Sequence, residues 1–309
     1  MSSLDRIRKF VCVEKALGEL KLLTRSVNTE LTYLKGLKKF METMSIDDLD
    51  FLIEEIKKGL KDANEIYRNF VIKLASQNLA PKTVAAWSSS LKKLFSANGI
   101  NLEKKLPIKI YNIHEDVLPS KDDLRKILEN ASVRTKAIIL FLLSSGLRVS
   151  ELINLKLKDI ELDKEPVLIR VKGLTAKERK SRITFISREA KQFLLEYLEK
   201  RKELGHEINE ESFVFVTKEN KQLSYQNLQY ILNRVFRRIS KKEGKRFTLH
   251  PHSLRKFFKT QMISAGVPGP IVDRLVGHGR YLANEYELYT EDQLREWYIK
   301  GESNLLILN

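Results

Sequence analysis

Residues 137–143 form the longest apolar run in the chain, Ala-Ile-Ile-Leu-Phe-Leu-Leu, and they constrain the fold more than any other segment. The run is too short to span a bilayer, which takes about 20 apolar residues in a helix. It lies in a predicted helix over residues 133–144 that is apolar nearly all round, and such a helix is buried inside a domain. Ser145 and Gly146 then end it, because glycine accepts the left-handed conformation at which helices stop. The second half of the chain is therefore predicted to pack around this helix.

The overall composition fits a globular protein with a polyanionic partner. The chain has 309 residues and an apolar fraction of 42%, enough for two domains with packed cores. Its 56 lysines and arginines exceed its 40 acidic residues, for a formal net charge of +16. This excess favours nucleic acid as the partner, although a lysine-rich proteome would produce the same balance.

Cysteine content and the N-terminal charges indicate the compartment. Cys12 is the single cysteine, which excludes an internal disulfide and a cysteine-based zinc site and fits a reducing cytoplasm. Charged residues throughout the first 15 positions exclude the apolar core of a signal peptide. We expect a cytoplasmic protein that does not associate with membranes.

Residues 1–103 are predicted to form an all-helical domain of four or five helices. Apolar residues recur at helical spacing within residues 31–41, 51–60, 66–74 and 84–95. Six lysines lie between the apolar positions, and they either contact phosphates or form a solvated face: Lys35, Lys38, Lys39, Lys82, Lys92 and Lys93. Residues 104–117 are basic, have prolines at their flanks and lack a steady period, which predicts an extended interdomain linker.

Residues 118–309 are predicted to form a second domain of helices with a few strands. The β-branched character of residues 167–172 and 181–186 predicts a hairpin with a basic loop, and residues 213–216 are a candidate third strand. Further helices are predicted at residues 188–201, 225–240, 253–265 and 267–275. The fold class is therefore mainly α with a small antiparallel β-sheet, an α+β arrangement.

Two helix starts are suited to binding an anion. Pro251 fits a first turn, Ser253 can accept a backbone N–H there, and His252 and Arg255 lie one turn apart. Arg148 follows a glycine turn at the start of another predicted helix, with Glu151 one turn on to brace its guanidinium. Free N–H groups and the helix dipole favour negative charge, and guanidinium matches phosphate geometry. These residues predict a phosphate site, although each motif alone also fits an ordinary charged helix start.

Five elements in order resemble the tyrosine recombinase (phage integrase) family, which includes Xer-type recombinases. They are residues 145–152, residues 171–173 in the hairpin, residues 252–255, residues 275–278, and a tyrosine shortly after. The resemblance covers residues 118–298. Residues 81–100 resemble the family's core-binding domain less specifically. The resemblance to the family implies a helical core-binding, DNA-binding domain at 1–103 and a catalytic domain with a C-terminal docking segment at 118–309.

The resemblance implies cleavage and rejoining of DNA by transesterification through a 3′-phosphotyrosyl intermediate. Arg148 and Arg255 would clamp the non-bridging oxygens, and Lys172 would protonate the leaving 5′-oxygen as general acid. His252 and His278 would bind the phosphate and assist proton movement. Because the bond energy stays in the tyrosyl ester, neither ATP nor another cofactor is expected. We also expect no metal.

Two roles have rival candidates. Lys177 and Lys180 in the hairpin loop compete with the lysine at its first strand for the role of general acid. The family's tyrosine usually lies about nine residues past the second histidine, and that position is glutamate here. Tyr286 precedes it by one residue and is the favoured nucleophile, while Tyr289, followed by threonine as in many members, is the alternative. Tyr281 is too close to the histidine.

The expected partner is double-stranded DNA, bound by a homotetramer on two sites, with accessory DNA-bending proteins where required. Residues 297–308 would dock on a neighbouring subunit, although an apolar terminus can also pack on its own domain. Integration, excision, dimer resolution and movement of a mobile element all remain open. A type IB topoisomerase-like enzyme and a non-catalytic DNA-binding protein on the same scaffold are the alternatives.

Overall fold

The computed structural model describes residues 3–24, 26–103, 106–111, 117–173, 181–243, 246–278 and 289–308. The chain divides into two compact units, residues 1–115 and 116–309. The predicted fold class is confirmed, since helices dominate the described residues and the largest sheet is small and antiparallel.

The first unit is entirely helical in its described residues. It has six helices there, rather than the predicted four or five: α1 Ser3–Arg8, α2 Val11–Leu23, α3 Val27–Met44, α4 Leu49–Lys57, α5 Ala63–Ala75 and α6 Pro81–Ala97. The sequence prediction missed α1 and α2. The start of α2 depends on a distant partner, because the Asp50 carboxylate accepts the backbone N–H groups of Val11 (2.9 Å) and Cys12 (2.8 Å).

Helices α3 and α6 pack at close range in the core of the first unit. A Cβ at Gly36 would lie 2.3 Å from Ser90 Oγ and 3.2 Å from Trp87 Cα, so only glycine allows this approach. Among the predicted lysines, Lys93 pairs with Glu19 (2.6 Å) and is only half-exposed. The crossing of α3 and α6 therefore depends on a residue without a side chain.

The second unit combines eight described helices with short strands. Its helices are α7 Lys121–Glu129, α8 Val133–Ser145, α9 Val149–Leu152, α10 Arg188–Glu203, α11 Tyr225–Phe236, α12 Pro251–Ser264, α13 Gly269–Val276 and α14 Glu291–Leu305. Its strands are β1 Ile160–Glu161, β2 Val167–Val171, β3 Arg182–Ile186, β4 Lys242–Glu243 and β5 Arg246–Phe247. Residues 137–145 of α8 are all buried, which confirms the predicted central helix.

The three-stranded sheet has the order β1-β2-β3, and both pairings are antiparallel. The predicted hairpin is present, with Val171 opposite Arg182 at its open end. The predicted third strand at residues 213–216 is wrong. That segment is buried, but within the described chain it makes only isolated bridges, and the Arg201 guanidinium binds the carbonyls of Phe213 (3.0 Å) and Val214 (3.1 Å).

The C-terminal segment packs on its own domain, one of the two arrangements that the sequence allowed, and docking on a neighbouring subunit stays a prediction. Tyr298 in α14 is fully buried, and its hydroxyl donates to the carbonyl of Ser144 in α8 (2.9 Å). After the helix, the N–H groups of Ile307 (3.0 Å) and Leu308 (2.6 Å) donate to the Glu189 carboxylate. The terminus thereby closes the core around α8.

Candidate active site

The candidate site is built where the C-terminal ends of α8 and α13 meet. Both helices end at a glycine in the left-handed conformation, Gly146 at φ 63° and Gly277 at φ 72°. A Cβ at Gly146 would lie 2.6 Å from Phe258 Cδ1 and 2.9 Å from Val276 Cγ1. Glycine is needed at this position both for the turn and for the contact between the two helix ends.

Side chains from three elements satisfy the last carbonyls of α8. Ser144 accepts the hydroxyl of Tyr298, and Ser145 accepts the Thr184 hydroxyl from β3 (2.8 Å). The next carbonyl, that of Gly146, accepts Nη1 of Arg255 in α12. These groups have no partner within the helix, so their burial depends on such donors.

Three arginines satisfy consecutive carbonyls at the end of α13. Arg182 Nε donates to Leu275 (3.1 Å), Arg255 Nη2 donates to Val276, and Arg148 Nη2 reaches the carbonyl of the following glycine (3.4 Å). Cations are stabilised at a helix C-terminus, where the dipole places negative partial charge. The predicted pair of arginines is thus brought together, with a third beside it.

Glu151 braces Arg148, as the sequence predicted, and it also binds Arg182. Its carboxylate accepts Nη1 (2.9 Å) and the backbone N–H (2.7 Å) of Arg148. The same carboxylate accepts Nη1 (3.0 Å) and Nη2 (2.7 Å) of Arg182. Burial raises the pKa of Glu151, but the hydrogen bonds and charges of Arg182, and then of Arg148, outweigh burial and hold the pKa below its ordinary value. The carboxylate is therefore ionised at neutral pH.

His278 follows the end of α13 and is a half-exposed neighbour of this cationic cluster. Its backbone N–H donates to the Asp273 carbonyl (2.8 Å), and its Nδ1 lies 3.3 Å from Nζ of Lys259. Burial and then the positive charges of Arg255, Lys259 and Arg148 lower the pKa of His278, and Asp273 opposes them. The imidazole is neutral near pH 7 and can accept a proton.

Arg255 and His252 lie on the first turn of α12, where the sequence placed them. Pro251 opens the helix, and the backbone N–H of His250 donates to Ser253 Oγ (3.2 Å). Arg255 is buried, with 3% of its surface exposed, whereas His252 is exposed. The ring of His252 stacks on that of His250 at 6.2 Å between centroids. One residue of the motif therefore faces the helix ends and the other faces solvent.

Lys172 lies one residue beyond the Val171–Arg182 pair, at the open end of the hairpin. Its Nζ pairs with Oδ1 of Asp159 at 2.6 Å. The lysine side chain is half-exposed, while that of Asp159 is only 7% exposed. Its rivals Lys177 and Lys180 lie outside the described residues.

Comparison with known proteins identifies the family. Residues 119–293 match the model of the phage integrase family. The chain belongs to this family. It is a tyrosine recombinase, an enzyme of site-specific DNA recombination.

Two named relatives are tyrosine recombinases, and one solved structure has a similar fold. The chain is 30% identical to the tyrosine recombinase XerC of Lactobacillus leichmannii over 220 residues, covering 65% of this chain and 70% of that protein. It is 29% identical to the tyrosine recombinase XerA of Pyrococcus horikoshii over 283 residues, covering 90% and 88%. The solved structure of the Tn1549 transposon integrase in complex with transposon right end DNA matches with a TM-score of 0.64 at 20% identity, covering 93% of this chain and 98% of that one. This last likeness is one of fold.

Of the three tyrosines considered as the nucleophile, only Tyr289 lies within the described residues. Tyr281 and Tyr286 lie outside the described residues. Tyr289 precedes Thr290, the N-cap of α14, and is a partly buried residue packed against an apolar cluster that includes Leu294. These two residues hold the sequence positions of a hydrophobic staple, the residue before the cap and the fourth helical residue.

Sequence reasoning missed Arg182, Lys259, Asp159 and Asp273. A signal for Arg182 was present, because Arg182 and Thr184 alternate on one face of a strand that is otherwise apolar. Both are buried, and both bind carbonyls at the two helix ends.

Neither a metal-binding group nor a membrane-spanning helix is found in the part of the chain that the structure describes. Within the described ranges, no three His, Cys, Asp or Glu residues are grouped so that they could hold a metal ion. The described helices also include none with the length and apolarity needed to cross a membrane.

Proposed function

We propose that this tyrosine recombinase cuts and rejoins double-stranded DNA at specific sites through a 3′-phosphotyrosyl intermediate. The observation that carries the proposal is the cluster of three guanidinium groups and His278 around two joined helix ends, on a chain of this family. Helix C-termini alone would repel phosphate, and the arginines replace that negative potential with a positive one.

Arg148 and Arg255 clamp the non-bridging oxygens of the scissile phosphate, where charge grows in the transition state. The tyrosine oxygen attacks phosphorus, and the bond from phosphorus to the 5′-oxygen breaks. The phenolic proton passes towards the neutral imidazole of His278. His252, exposed one turn before the buried arginine of its helix, binds the phosphate from the solvent side.

Lys172 gives a proton to the leaving 5′-oxygen. In the structure its ammonium group is bound to Asp159, so protonation of the leaving group requires the lysine to exchange this carboxylate for the DNA. Arrival of DNA drives that exchange, because the phosphate presents a competing anion at the end of the hairpin. The rejoining step reverses the same transfers.

Tyr286 is the nucleophile in this proposal. The packing of Tyr289 against an apolar cluster supports this choice, because that packing restricts the approach of its ring to a phosphate. Residues 1–103 bind the DNA together with the catalytic domain, and residues 104–117 link the two domains. Four copies act on two duplexes in the cytoplasm, at the nucleoid. The DNA in the Tn1549 integrase complex supports the choice of partner.

The test is capture of the covalent intermediate. A library of nicked duplexes of random sequence is incubated with the full chain, so that cleavage next to the nick releases a short fragment and traps the adduct. Sequencing of the trapped DNA gives the target, and mass spectrometry of the attached peptide gives the nucleophile. We expect Tyr286→Phe to abolish the adduct and Tyr289→Phe, the matched control, to retain it.

Other results would contradict the proposal. DNA binding without any adduct would indicate a non-catalytic DNA-binding protein. Adducts at all sequences, with relaxation of any supercoiled plasmid, would indicate a topoisomerase-like enzyme. An adduct retained by both single tyrosine variants would refute the assignment of the nucleophile.

A further inference from the structure

Arg182 is a buried arginine that the proposed chemistry does not use. All three of its guanidinium nitrogens bind protein acceptors, Nε the Leu275 carbonyl and Nη1 and Nη2 the Glu151 carboxylate, so it is not placed to meet DNA directly. It nevertheless contacts two parts of the site, the Glu151 carboxylate and the end of α13. A guanidinium is costly to bury and is retained where its hydrogen bonds fix other groups.

The contacts of Arg182 lead directly to Arg148. Glu151 is 2% exposed and accepts two guanidinium hydrogen bonds from Arg182, and one guanidinium and one backbone hydrogen bond from Arg148. The paired bonds from Arg182 hold the carboxylate plane and orient the oxygen that accepts Arg148 Nη1. The Arg148 side chain is 17% exposed, and the position of its guanidinium therefore depends on a residue that itself meets no phosphate.

A second set of contacts ties Arg182 to the strand and the helix. It opens β3 opposite Val171, the residue before the proposed general acid. Its Nε holds the carbonyl of Leu275, and a Cβ at Gly277 would lie 2.8 Å from its Cδ and 3.0 Å from its Nε. Arg182 thus fits a slot that leaves little freedom to move.

We infer that Arg182 is a positioning residue for DNA cleavage, which acts by holding the Arg148 guanidinium in place through Glu151. This inference rests on the proposed function. It differs from a purely structural role, because loss of Arg182 should weaken the interaction of one guanidinium with one charged phosphate oxygen.

The experiment compares two DNA substrates, both built on the duplex recovered by adduct capture. One has the natural scissile phosphate, and the other has a methylphosphonate there, which replaces one charged oxygen by a methyl group. Single-turnover adduct formation is measured for the wild-type chain, Arg182→Lys, Arg182→Gln and Arg148→Ala. The matched control is Arg201→Lys, because Arg201 is also a buried arginine of the same unit but binds the carbonyls of Phe213 and Val214.

We expect Arg182→Gln to slow cleavage of the natural phosphate about 100-fold, because Arg148, which stabilises transition-state charge, is then misplaced. The rate of Arg182→Lys should fall between those of the wild-type chain and Arg182→Gln. On the methylphosphonate the loss should shrink by about 10-fold or more, in parallel with that of Arg148→Ala, since the oxygen served by that guanidinium is absent. Arg201→Lys should show the same small loss on both substrates. Thermal unfolding shows that the compared variants are folded, and Arg182→Lys serves if the glutamine variant is not.

Equal losses on both substrates for folded Arg182 variants would overturn the inference, as would a loss no larger than that of Arg201→Lys. Absence of any adduct with the wild-type chain would instead refute the proposed function.

Discussion

Replacement of Gly277 by alanine should both destabilise the fold and disrupt the site. Gly277 has φ 72°, and a left-handed conformation costs a residue with a Cβ about 1–2 kcal/mol. In addition, the new Cβ would lie 2.8 Å from Arg182 Cδ, and this side chain cannot move away without breaking at least one of its bonds to Glu151 and Leu275. One charge-assisted bond contributes about 1.5–3 kcal/mol, so the conformational cost and the loss of one bond together lower the free energy of unfolding by about 2.5–5 kcal/mol.

Gly266 supplies the matched control. It has φ 81°, but an added Cβ there has no atom within 4 Å. Gly266→Ala therefore costs only the free energy of placing a residue with a Cβ in the left-handed conformation. Its melting temperature should fall by about 2–8 °C, at about 2–4 °C per kcal/mol for a unit of this size. Gly277→Ala should melt lower still, and its rate of adduct formation should fall about 100-fold, which corresponds to about 2.7 kcal/mol of activation free energy. Equal melting temperatures for the two variants, with cleavage intact in both, would refute the reasoning.

Three further predictions concern single contacts. Asp159→Asn should speed adduct formation about 2–5-fold in single-turnover assays, because an ion pair whose lysine is half-exposed contributes up to about 1 kcal/mol and must be broken to free the proposed general acid. Lys259→Met should raise the pKa of His278, because a neighbouring positive charge is removed, so the acid side of the pH–rate profile should move to higher pH. Tyr298→Phe should lower the free energy of unfolding by about 1 kcal/mol in denaturant titrations, since a buried hydrogen bond to Ser144 is lost.

The parts of the fold that follow from local patterns could be predicted. The apolar run at residues 137–143, within a longer predicted helix that ends at a glycine, predicts a buried helix, and α8 is one. Residues 213–216 have the composition of a strand, yet Arg201, which is 12 residues from Phe213 in sequence, takes two of their carbonyls, and the Val214 N–H donates to the carbonyl of Leu155 (2.9 Å). The partners of backbone groups depend on tertiary contacts, and composition does not specify them.

The same distinction applies to the site. Arg148, with Glu151 three residues away, could be predicted because helix spacing brings them together. For Arg182 the strand pattern could indicate burial but not the residues it binds, since its partners are 31 residues before it and 93 residues after it in sequence. The sequence also pointed to helix N-termini as the source of positive potential. In the structure the three arginines bind carbonyl groups at the C-terminal ends of α8 and α13.

The net charge of the arginine cluster and the orientation of Arg148 make opposite predictions for one substitution, Glu151→Gln. Three guanidinium groups contribute three positive charges, Glu151 one negative charge, and two helix ends about half a negative charge each, for a net charge of about +1. Glu151→Gln raises this sum by one, so a site that worked by charge alone would bind DNA more tightly and cleave it faster. We expect tighter or unchanged binding but cleavage slowed about 100-fold, because Arg148 loses the carboxylate that orients it. Affinity measured by fluorescence anisotropy, beside single-turnover cleavage, separates the two effects. Faster cleavage by Glu151→Gln would show that charge outweighs orientation at this site.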